Sequence, residues 1–135
     1  MRLGIVVAAL LAACTLCGCA TQTEQLADAS ASGVSAVRSS ALALELADDG
    51  RAWRPASDTA LADALTELSD AHRTLIELVP RDASEQKARD RVAEELQHAL
   101  GTVAAARAAL ARDDELAPWI DQLDAAADTL ERAAP

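Results

Sequence analysis

Apolar residues along this chain recur with the period of a helix, and no stretch keeps the alternation of a strand. From Leu26 to Ala47 the positions Leu26, Val34, Val37, Ala41 and Leu44 fall at helical spacing. The first half of that stretch, Ala29-Ser30-Ala31-Ser32-Gly33, is a weak helix former, because serine and glycine favour helix less than alanine. A helix is therefore expected to be firm from Val34 and doubtful before it. Asp48-Asp49-Gly50 ends it, with Gly50 suited to the left-handed position after the cap.

Gly50 to Ser57 reads as a loop, and Ser57 is the expected cap of a second helix, with Asp58 in its first turn. Leu61, Leu65, Leu68, His72, Leu75 and Val79 then step alternately by four and three, a seam for a partner helix, until Val79-Pro80 stops it. Asp82-Ala-Ser-Glu85 has the form of a capping box with Asp in the first place. It opens the longest predicted helix, Ala83 to about Ala111, with Val92, Leu96, Ala99, Val103, Ala106 and Leu110 on one face. Gly101 interrupts that helix off the seam. A last helix is expected from about Pro118 to Arg132, carrying Ile120, Leu123, Ala127 and Leu130.

The pattern predicts an all-α fold, a small antiparallel bundle of three to four helices joined by short connections. Composition agrees. Alanine and leucine, both strong helix formers, are the commonest residues, and tyrosine and phenylalanine are absent. With alanine on many seam positions, a slim bundle without a roomy cavity is expected.

The first nineteen residues follow a different grammar. Arg2 precedes an apolar run, Leu3 to Leu16, that is too short to span a bilayer, and the run ends on Leu16-Cys17-Gly18-Cys19. This arrangement resembles the signal peptide and lipobox of bacterial lipoproteins. The resemblance implies a diacylglyceryl group on the Cys19 thiol and removal of residues 1–18. Leu11-Ala12-Ala13-Cys14 matches the box too, but cleavage there leaves a thirteen-residue leader, shorter than the usual range of roughly 15–30. Cys19 is therefore the expected lipidation site and Cys14 the alternative. Residues 19–25 then read as a lipidated tether and 26–135 as the bundle domain. The protein would be anchored on the extracytoplasmic side of a cell envelope. By the same resemblance, Ala20 after the cysteine is compatible with the outer membrane where two membranes exist; with one membrane, the outer face of the plasma membrane is implied.

Charge narrows the partners. All 22 acidic residues follow Cys19, with 11 of the 12 basic ones, so the mature net charge is about −11. Such a surface repels phosphate backbones, which disfavours nucleic acid. It is also expected to be repelled by anionic lipid, leaving the acyl chains as the only bilayer contact.

Candidate chemistry is sparse. Cys14-Thr-Leu-Cys17 has redox-motif spacing but lies inside the leader. Glu95-Leu-Gln-His98 is half of a di-iron ligand set and lacks its second half. No strained nucleophile elbow and no phosphate loop occur, so neither an enzymatic activity nor a cofactor is expected. His72, placed within a seam, is the candidate ligand contact. Trp53, flanked by Arg51 and Arg54, forms the candidate partner-binding loop, since tryptophan and arginine are enriched in interface hot spots. The ordinary alternatives are that Trp53 closes the bundle end and that Trp119 packs on the bundle. The expected role is protein–protein interaction by an envelope adaptor, inhibitor or assembly factor. A small-ligand or metal carrier, or a self-associating coiled coil, are the other classes open.

Overall fold

A computed structural model describes residues 21–135; the leader, with Cys14 and Cys19, lies outside them. Four helices follow in order: α1, Gln22–Asp48; α2, Arg54–Glu77; α3, Ala83–Arg112; and α4, Ala117–Ala133. None is long and apolar enough to cross a membrane.

Helix α1 starts earlier than its apolar spacing predicts. Thr21 and Glu24 close a capping box: the Thr21 hydroxyl accepts from the Glu24 amide at 3.3 Å, and the Glu24 carboxylate accepts from the Thr21 amide at 2.6 Å. That reciprocal pair satisfies two donors the first turn would otherwise leave open. The weak Ala29–Gly33 stretch is helical because Ala29, Ser30 and Gly33 are buried, and tertiary packing outweighs a propensity deficit of roughly 1 kcal/mol per glycine. At the other end Gly50 adopts φ 67°, the left-handed geometry expected of it.

Helix α2 also differs at its start. It begins at Arg54 with Trp53 in the N-cap position and no side-chain cap, and Pro55 fits the first turn without losing a hydrogen bond. Ser57 is not the cap. Its hydroxyl instead donates 2.9 Å across to the Ala43 carbonyl of α1. Helix α3 starts where expected, the Asp82 carboxylate accepting from the Ser84 and Glu85 amides at 2.8 and 2.9 Å.

Cross-helix bonds show that neighbouring helices run antiparallel. Gln22 to Val79, Ser32 to Glu67 and Ser57 to Ala43 tie α1 to α2 at positions equally displaced from their turn. Arg54 to Asp113, Arg107 to Asp58 and Arg89 to the Leu78 carbonyl do the same for α2 and α3. Ser30 donates to the Leu130 carbonyl and fixes α4 beside α1. Helix α4 lies against α1 and α3 and diagonally across from α2, while α1 and α3 touch across the other diagonal. The result is an up-and-down four-helix bundle. At about 1.5 Å per residue, α3 is about 45 Å long and α4 only about 26 Å, so one end of the bundle is built from α1, α2 and α3 alone.

The core follows the predicted face of α3 at every position: Val92, Leu96, Ala99, Val103, Ala106 and Leu110 are all buried. On α2 the seam differs. Leu61, Ala64, Leu68, Ala71 and Leu75 are buried, Leu65 and His72 are half-buried, and Val79 is exposed. Alanines one position earlier take the places assigned to Leu65 and His72, because a small side chain lets α2 sit closer to its neighbours. Helix α1 takes this furthest, with a buried face that includes Ala29, Ser30, Gly33, Ala36, Ser40 and Ala41. A Cβ on Gly33 would lie 2.5 Å from Leu96 Cδ2, 2.7 Å from Leu130 Cδ2 and 3.6 Å from Leu68 Cδ2, so leucines of the other three helices converge on this glycine. That close approach explains the diagonal contact. The buried serines are all hydrogen-bonded, and among the described residues no buried side-chain polar atom lacks a partner.

Candidate functional site

The turn between α1 and α2 is short because Gly50 reverses the chain at once. Arg51 and Ala52 both donate backbone N–H bonds of 2.8 Å to the Leu46 carbonyl, anchoring the turn to α1. Trp53 follows. Leu44, Leu61 and Leu116 are fully buried, whereas the Trp53 indole stands in solvent, 77% exposed. The alternative in which Trp53 closes the bundle end is not what the structure shows. Trp119, by contrast, packs half-buried against the core, as expected.

The two arginines flanking Trp53 are not free cations. Arg54 pairs with Asp113, the left-handed residue that caps α3, and so ties the start of α2 to the end of α3. Arg51 lies 3.9 Å from Asp49, an open pair that water screens. One turn further along, Arg107 grips Asp58 through two parallel bonds of 2.7 and 2.9 Å. The Arg107 hydrogen bonds hold the Asp58 carboxyl below the ordinary aspartate range, and the same contact raises the guanidinium. The Trp53 end is therefore a rigid turn, stapled at two places, that holds one large aromatic surface outward. The exposure of Leu42 adds a second apolar side chain in the final two turns of α1.

His72 sits half-buried on α2 and is absent from the lining of an open groove beside it. That groove, about 650 Å³ and open to solvent, runs between α1 and α2 over a floor of Ala29 and Ala71. Asp28, Asp63, Glu67 and Asp70 stand around it. Ser32 donates 2.8 Å to Glu67, and Arg73 pairs with Asp70 at 3.0 Å. The acidic rim was hidden in the sequence among solvated helix faces; only the register of α1 on α2 gathers these residues. His98 is exposed and lies with Glu94 and Glu95 along a separate groove between α3 and α4. Among the described residues no cluster of three or more His, Cys, Asp or Glu has the geometry to hold a metal ion.

Set against protein-family models, curated proteins and solved structures, the chain finds no match.

Proposed function

We propose that the chain is a lipid-anchored lipoprotein of a bacterial envelope that works by protein contact, offering the Trp53 end of its bundle to a partner. The lipobox supports the anchor, with Cys19 as the acylated residue. The direction of α1 supports the display. Thr21 begins the helix two residues after Cys19, and Trp53 follows the turn at its far end, about 40 Å away over 27 residues. The observation that carries the reading is the 77% exposure of Trp53 on a turn held firm by backbone bonds and by Arg54. An exposed tryptophan leaves a large apolar area in water, which burial in a partner relieves at little conformational cost.

The test is affinity capture from native membranes with the lipidated chain and its Trp53→Ala variant. A protein retained by the first and lost from the second supports the reading. Identical retained proteins from both would remove the Trp53 surface from it. A small cationic ligand is the second reading, favoured by the α1/α2 groove and its four carboxylates. Calorimetric titration with spermidine that gives no heat above dilution would end it.

A further inference from the structure

The opposite end of the bundle has its own exposed apolar surface and its own charge balance. Ile76, in the last turn of α2, is 57% exposed, and Val79, in the turn to α3, is 79% exposed. The surrounding segment from Asp70 to Arg91 holds five basic residues against five acidic, on a chain whose net charge is −10. It includes the sole lysine, Lys87. Arg73, Arg81 and Arg89 are paired with Asp70, Glu85 and Asp90. Lys87 and Arg91 have no ion pair among the described residues. Both sit in the first half of α3, and helix side chains lean toward the N-terminus, here toward the Val79 end.

The N-terminal segment says what meets this end. Gln22 Nε2 donates to the Val79 carbonyl, so the entry of the chain into α1 is fastened beside Val79. Three residue steps separate Gln22 from Cys19, and even fully extended they reach only about 11 Å. We propose that this end of the bundle seats on the bilayer itself, Ile76 and Val79 entering the interfacial layer while Lys87 and Arg91 face lipid phosphates. The proposal rests on acylation of Cys19, which brings the bilayer within reach of Val79. It replaces the expectation that the acyl chains are the only membrane contact. Whole-chain repulsion does not decide the matter, because charges further away than about 8–10 Å are screened at physiological salt while the local segment carries no net charge. Nor does the contact need intrinsic strength. The tether holds the surface at an effective concentration of order millimolar, so a weak patch is occupied.

The experiment uses the full lipidated chain in vesicles of phosphatidylcholine, with and without phosphatidylglycerol. Intact mass first establishes whether Cys19 carries the lipid. A fluorescent NBD label is then placed on Val79→Cys, on Gln86→Cys or, at the far end, on Trp53→Cys. The expected result is a blue shift and loss of most emission to bilayer nitroxide quenchers at positions 79 and 86, with position 53 unaffected. Adding Ile76→Asp and Val79→Asp to the Gln86 probe should abolish that quenching. Lys87→Glu with Arg91→Glu should abolish only the extra quenching that phosphatidylglycerol brings. An acylated chain whose Val79 and Gln86 probes stay as wet as that at Trp53 overturns the proposal and leaves the anchor reading standing. Shielding that occurs in native membranes but not in vesicles assigns the patch to a protein and overturns it too. A free Cys19 thiol overturns both.

Discussion

Gly33→Ala is the sharpest test of how this bundle is packed. In an exposed helix the change would stabilise by about 0.8–1.0 kcal/mol through propensity. Here the added methyl would stand 2.5 Å from Leu96 and 2.7 Å from Leu130, both under any ordinary carbon–carbon contact. The obstructing atoms are side-chain tips, but both leucines are fully buried and belong to different helices, so neither can swing aside without displacing its neighbours. Overpacking of this kind costs about 1–3 kcal/mol. The steric cost exceeds the propensity gain, and a net loss of about 1 kcal/mol is expected, with an upper range near 2. Urea unfolding of the domain from Thr21 onward measures it, and a changed midpoint at constant slope attributes the loss to the native state. Leu96→Ala alone should cost about 2–5 kcal/mol. Combined with Gly33→Ala it should cost less than the sum, because the new methyl enters space the leucine vacates. A Gly33→Ala variant as stable as the parent, or strict additivity with Leu96→Ala, would refute the convergence of leucines on this glycine.

The other expectations are simpler. Gly101 is exposed with nothing within 4 Å of an added Cβ, so Gly101→Ala should stabilise by about 1 kcal/mol, and a thermal melt showing no gain contradicts that placement. Thr21→Ala removes the cap of α1 and should cost about 1 kcal/mol, read as faster amide exchange confined to the first turn. Asp58 and Glu85 titrate below their ordinary values because Arg107 and Arg81 hydrogen-bond their charged forms. Their stabilisation is thus complete above the ordinary carboxylate range and disappears as pH falls through the lowered folded values, below about pH 4. Asp58→Asn should flatten part of that acid limb in denaturant titrations, and an unchanged limb would argue against the pairing. Trp53→Ala should leave stability within about 0.5 kcal/mol, since the indole is outside the core; a clear loss would give Trp53 a packing role instead.

The legible parts of this fold are those where one residue type and local chemistry suffice. The face of α3 was readable because leucine, valine and alanine recur there without competition, and the Asp82 cap and Gly50 were readable because each acts within one turn. The Thr21-x-x-Glu24 box was equally local and available, but the polar character of the segment reads as tether unless the three-residue spacing is sought. The seam of α2 was not decidable from spacing, since alanine at 64 and 71 is as neutral in sequence as the bulkier Leu65 and His72 beside it are conspicuous.

Helical class, the approximate places of the turns and the acidic surface can all be read from residue order, because helical periodicity and turn chemistry are short-range properties. Packing between helices is what shows which small residues are buried, that Gly33 is the crossing point of three leucines, and that Trp53 stands free while Arg54 does not. It alone gathered Asp28, Asp63, Glu67 and Asp70 along one groove and put Val79 beside the start of α1. Those facts depend on the register between helices far apart in the chain. Register is set by the sum of many packing contacts, so no local stretch encodes it.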